Sequence, residues 1–157
     1  MNKNKIGLTN QNAEVLSDSL NRLLADYQIY YQNLRGLHWN IKGKQFFTLH
    51  SKFEGFYNEA AETIDEIAER ILMLGSVPYH SFEDYTNNAK LKAVKNVTEG
   101  EESVKVVLNN MQSILDSARE IFKKAGDIDE EGTASMMSDL ISYHEKNIWM
   151  LSAWLGE

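Results

Sequence analysis

The chain has 157 residues, 43% of them hydrophobic and 25% charged, which is enough for one domain (1–157) with a substantial buried core. A net charge of −7 argues against a broad phosphate-binding surface and suits a protein that attracts cations. The absence of cysteine excludes a disulfide scaffold and any thiolate metal site.

Residues 1–8 read as a short flexible tail carrying Lys3 and Lys5. The opening MNKNKIG lacks the apolar core of a signal peptide, and no later stretch is apolar enough to span a bilayer, so a cytoplasmic protein without membrane contact is expected. From Ala13 to about Leu37 the apolar residues Leu16, Leu20, Leu23, Leu24, Tyr27, Tyr31 and Leu34 recur at three- and four-residue steps, which predicts an amphipathic helix. Asn40 to Gly43 reads as a turn. A second helix is expected from Phe46 to Leu74, with Gly75 as its C-terminal cap and Pro78 preventing continuation. The pattern weakens between Val77 and Val97, where Ser81 and Asp84 fit a short capped helical turn. Thr98-x-x-Glu101 reads as a capping box opening a third long helix through Val104, Met111 and Phe122, ended by Gly126. After an acidic connection, Asp127 to Gly132, a fourth follows through Met136, Leu140, Tyr143 and Leu155. The fold class is therefore all-α: a four-helix bundle with ferritin-like connectivity and a short extra helix in the long crossover.

Bundles that bind two metals within one chain use Glu-x-x-His motifs, and no histidine here has a glutamate three residues before it. The second helix instead carries His50, Glu54, Asp65 and Glu69 along one flank, with Asp65 and Glu69 as i,i+4 neighbours. On an arbitrary helix such acids are usually just solvated. Here Ala61, Ala68 and Leu72 share the flank, as at a subunit interface. His50 and Asp65 are fifteen residues apart, about 22 Å along a helix axis, too far to hold one metal ion in one chain. In a dimer with a two-fold axis across the helix, His50 of one copy, with His38 beside it, would meet Asp65 and Glu69 of the other, making two identical sites. Nitrogen and oxygen ligands without thiolate suit iron(II), manganese or zinc.

His38-Trp39-Asn40, His50 after eleven intervening residues, Phe53-Glu54, Asp65-Glu66-Ile67-Ala68-Glu69-Arg70 and Ile148-Trp149-Met150-Leu151 together resemble the Dps family (DNA-binding protein from starved cells), the mini-ferritins, over nearly the whole chain. The resemblance implies a hollow homo-dodecamer with ferroxidase centres across dimer interfaces. There iron(II) would be oxidised, preferentially by hydrogen peroxide, and stored as ferric mineral, protecting against oxidative stress. It implies His38 and His50 from one subunit as catalytic ligands, Asp65 and Glu69 from its partner, and Glu54 as a further ligand or near-ligand. Trp39 stands where the family has a tryptophan beside the centre, in a redox role or as interface packing. Glu130, Glu131 and Asp139, with Asp127 and Asp129, resemble the acids lining the family's iron-entry pores, or else belong to a solvated turn. Family members that bind DNA often carry a longer lysine-rich tail than Lys3 and Lys5 supply, so DNA binding is expected to be weak, while the resemblance leaves nucleoid association open as a location within the cytoplasm. Two other functions set against iron storage are DNA compaction with iron chemistry secondary, which the charge disfavours, and a di-metal oxygenase, which the missing Glu-x-x-His pairs disfavour. His80 and His144 have no ligand-type partners at helical spacing and read as structural.

Overall fold

The computed structural model describes residues 2–157; Met1, the first residue of the expected tail, lies outside them. Five helices follow in order: α1 (Asn10–Asn40), α2 (Phe46–Met73), α3 (Phe82–Asn88), α4 (Gly100–Gly126) and α5 (Glu131–Leu155). The four long ones form two hairpins, α1 with α2 and α4 with α5, and no strand occurs among the described residues. The short links after α1 and α4 make each pair antiparallel. One core runs through the bundle, built largely from the predicted stripes: Leu16, Leu20, Tyr27 and Leu34 from α1, Phe53, Ala60 and Ile67 from α2, Val104, Met111 and Ala118 from α4, and Leu140 from α5. Two positions differ from expectation: Met137 is fully buried while Met136 is half-buried at the core's margin, and Phe122 is exposed near the end of α4. Removing each of the larger side chains from water stabilises the fold by roughly 1.5–3 kcal/mol before entropy is counted.

The helix ends are set locally, with one departure from expectation. Thr9 caps α1 by accepting from Asn12 N–H, and Ser81 caps α3 by accepting from Asp84 N–H. Gly75, at φ +91°, closes α2: its N–H donates to Leu72 C=O and the Ser76 N–H to Ile71 C=O, the paired bonds of a Schellman cap. The capping box expected at Thr98 does not form. Glu99 is the N-cap of α4, its carboxylate accepting from the Glu101 and Glu102 N–H groups, which holds its pKa below the usual carboxylate value. The Thr98 carbonyl is engaged by Lys42 N–H in the turn after α1. At the far end Gly126 is the last residue of α4, and the left-handed residue in the link is Asp129, at φ 54°.

Residues 2–9 bend into a hook: Lys3 pairs with Thr9 in an isolated bridge, and the Asn4 side chain donates to Leu74 C=O. The crossover from α2 to α4 is laced to α1 by three polar residues. Asn21 bonds Val77 and Tyr79, Asp26 accepts from the Lys90 and Leu91 N–H groups, and Asn33 bonds Lys92 and Val94. These side chains supply the partners that an irregular segment cannot find within itself. Burial pushes the Asp26 carboxyl above its usual pKa against those backbone bonds.

Candidate metal centre

His38 lies in the last turn of α1 and His50 in the first of α2, and the antiparallel hairpin brings them face to face. Their rings stack with centroids 3.7 Å apart and planes 13° apart. Each Nδ1 meets the other residue's backbone carbonyl, His38 Nδ1 to His50 O at 2.6 Å and His50 Nδ1 to His38 O at 2.7 Å. A carbonyl only accepts, so both Nδ1 atoms carry a hydrogen, which in the neutral imidazole leaves the lone pair on Nε2. A metal-binding histidine is commonly held this way, its second nitrogen donating to a carbonyl that fixes tautomer and ring orientation. The Phe46 ring stacks on His50 at 4.8 Å and the Tyr57 ring meets His38 edge-on at 5.3 Å. His38 is buried and His50 half-buried.

Glu54, one turn after His50, is exposed and accepts a hydrogen bond from the Tyr57 hydroxyl at 3.3 Å. Asp65 and Glu69 are exposed on the distal half of α2. Within one chain the fold therefore gathers the two histidines but leaves the acid pair at the other end of the helix. Among the described residues no group of three or more ionisable side chains could hold a metal. Large apolar side chains are exposed beside both halves, Phe47 (84%) near His50, and Leu72 (58%) and Met73 (55%) past Glu69. Trp39 is exposed as well, with the Arg35 guanidinium 4.8 Å over its ring. Phe46 and Tyr57 were not singled out in the sequence. The available signal was their helical spacing, Phe46 four residues before His50 and Tyr57 seven after it.

The remaining acids divide. Glu130 is buried: it caps α5 by accepting from the Gly132 and Thr133 N–H groups and pairs with Arg70 at 2.6 Å. Burial pushes its pKa up, but the Thr133 and Arg70 hydrogen bonds and the guanidinium charge outweigh this and hold it below the usual value. Glu131 and Asp139 are exposed, and Asp127 pairs with Lys123. His80 is exposed beside the Pro78 carbonyl. His144 is fully buried, its Nε2 bonded to the Tyr27 hydroxyl at 2.6 Å, and burial lowers its pKa to about 4, so the ring is neutral at pH 7.

Residues 17–157 match the ferritin-like domain family. The class of protein is thus a ferritin-like helical bundle, and two kinds of relative narrow it. The "DNA protection during starvation protein" of Porphyromonas gingivalis is 41% identical over 148 residues, covering 94% of this chain and 93% of that protein. The crystal structure of a Dps protein from Vibrio cholerae O1, described as a member of a broad superfamily of ferritin-like diiron-carboxylate proteins, superposes with a TM-score of 0.97. It is 44% identical and covers 99% of this chain and 98% of that one. A Dps protein from Bacillus brevis follows with a TM-score of 0.89 and 33% identity, over 92% of this chain and 97% of that one. The chain belongs to the Dps family.

Proposed function

We propose that this protein is an iron-storing mini-ferritin that oxidises iron(II), with hydrogen peroxide as preferred oxidant, at centres shared between two subunits of a dodecameric cage. One observation carries the reading: two histidines locked with their Nε2 lone pairs free, about 22 Å along α2 from the acid pair that completes a ligand set. A two-fold axis across α2 makes each half complete the other, and the exposed Phe47, Leu72 and Met73 provide the apolar margin such a contact needs. His38 and His50 from one subunit, with Asp65 and Glu69 from its partner, hold the substrate iron, and Glu54 stands beside the histidines as a further carboxylate. Zinc and manganese, which accept the same donor set, compete for the position.

The chemistry follows from holding two ions together. Two iron(II) ions each give one electron to hydrogen peroxide, which takes up two protons and leaves as two waters. A lone iron(II) gives only one and releases a hydroxyl radical. The flanking carboxylates favour the trivalent product and the capture of cations from solution. Glu131 and Asp139 are the exposed acids suited to an entry path, whereas the carboxylate of Glu130 is engaged by Arg70 and the start of α5. DNA binding is weak in this reading, since a chain of net charge −7 with Lys3 and Lys5 as its basic hook releases few counterions from a duplex. A cytoplasmic location accords with the cargo, and no helix among the described residues is long and apolar enough to cross a membrane.

Subunit mixing tests the shared centre. Chains with His38→Ala and His50→Ala and chains with Asp65→Ala and Glu69→Ala should each lack rapid iron(II) oxidation. Dissociated, mixed in equal amounts and reassembled, half the dimers are mixed, each with one wholly intact centre. The mixture then recovers about a quarter of the wild-type rate. No recovery in properly assembled mixed cages would refute the assignment.

A further inference from the structure

We infer that Tyr27 and His144 form a buried proton-coupled electron donor, at which the protein takes up one oxidising equivalent from a hydroxyl radical as a neutral tyrosyl radical. The inference rests on the proposed iron oxidation only for the origin of that radical.

The pair sits inside the bundle where α1 meets α5, and both side chains are fully buried. Tyr27 Oη lies 2.6 Å from His144 Nε2, and with the hydrogen of the neutral imidazole on Nδ1 the ring accepts the phenolic Oη–H there. Losing an electron makes a phenol strongly acidic, and a buried site does not tolerate the unpaired positive charge that would result. Oxidation is therefore feasible only where a base already holds the phenolic hydrogen, and a neutral imidazole does so here. Tyr27 gives one electron to the hydroxyl radical and its proton to His144 Nε2. The radical becomes hydroxide, which takes a solvent proton to form water. A neutral tyrosyl radical and an imidazolium remain.

The surroundings suit both halves of the step. Tyr143 packs edge-on to His144 with centroids 5.2 Å apart, and Tyr143 and Glu59 line a cleft of about 510 Å³ between α2 and α5, next to the pair. Glu59 Oε2, Tyr30 Oη and His144 Nδ1 are buried beside the pair without protein partners. For the electron, two runs of ring contacts lie between the pair and His38, joined by the backbone between Tyr30 and Tyr31. Tyr27 meets Tyr30 at 5.8 Å, Tyr31 is the next residue in the chain, and Tyr31 meets Tyr57 at 6.0 Å. Tyr57 in turn meets His38 at 5.3 Å. An oxidising equivalent born where one iron(II) meets peroxide has a route inward through these rings and the Tyr30–Tyr31 backbone, away from the surface.

The test uses the assembled, metal-free protein and azide radical from pulse radiolysis, a one-electron oxidant that needs no iron. Wild-type protein should develop a slowly decaying tyrosyl radical by electron paramagnetic resonance. Tyr27→Phe, which removes a single oxygen, should abolish the slow component. His144→Gln, which still accepts the hydrogen bond but cannot take up the proton, should shorten its lifetime by about a hundredfold. An unchanged spectrum and decay in Tyr27→Phe overturns the inference. If that variant does not assemble, an unchanged decay in His144→Gln overturns it equally. A second arm supplies one iron(II) per subunit with peroxide. A Tyr27 radical formed by azide radical but not in this arm sustains the donor and overturns the iron centre as its source of oxidant.

Discussion

Acidification should destabilise this protein through one buried imidazole, and the size of the effect follows from its surroundings. His144 accepts from Tyr27 at Nε2, has no partner at Nδ1, and is enclosed by Tyr27, Tyr30 and Tyr143, with Glu59 the nearby carboxyl from α2. Burial lowers its pKa to about 4, against about 6.5 in an unfolded chain. Above pH 6.5 neither state is protonated there and the group contributes its full share. As pH falls the unfolded chain binds a proton that the folded chain refuses, so stability declines until the folded pKa is passed near 4. The shift corresponds to about 3 kcal/mol per subunit. Asp26 and Glu59, whose pKa values burial raises, act in the opposite sense as they protonate, so the His144 contribution must be isolated by substitution. His144→Gln keeps an acceptor for Tyr27 and cannot titrate. Urea unfolding at pH 7, 6, 5 and 4, at one protein concentration so that association contributes equally, should show wild type losing about 3 kcal/mol relative to the variant. Parallel losses in the two proteins would refute the reasoning.

Two further outcomes follow from particular contacts. A Cβ on Gly132 would lie 2.6 Å from the Arg70 guanidinium, so Gly132→Ala should dislodge the buried pair with Glu130 and cost about 1–3 kcal/mol by thermal unfolding. The comparable Gly126→Ala, which meets open space at the end of α4, should be neutral or slightly stabilising; equal losses in both variants would contradict the role given to Arg70. In a gel-shift assay at low salt the protein should retain duplex DNA only weakly. Tight binding that disappears when residues 1–5 are removed would instead make DNA compaction a principal function.

The apolar periodicity that defines α1, α2, α4 and α5 is a property of each segment alone, since a face must be apolar every three to four residues before it can be buried at all. That is why those helices, and the crossover between the second and third long ones, were legible from the chain. Helix starts were less so. Thr98 is the capping residue by type, yet Glu99 holds the position while the Thr98 carbonyl is engaged by Lys42, a contact that exists only once the α1–α2 turn has docked. Glu130 shows the same limit: an acid in a link looks solvated until Arg70, sixty residues earlier, reaches it across the bundle.

By itself the sequence determined the helical bundle, the residue types at the candidate centre, and the fact that His50 and Asp65 are too far apart on one helix to share an ion. Those conclusions need only the rise of a helix and the chemistry of side chains. Tertiary structure decided what the histidines present. Their stacking and the reciprocal Nδ1 bonds arise when α1 and α2 pack antiparallel, and only that packing frees both Nε2 atoms together. It also decided that His144, unremarkable in its own helix, meets Tyr27 from 117 residues away. Periodicity along a chain records which face turns inward, and the partners met there are settled by how the helices pack.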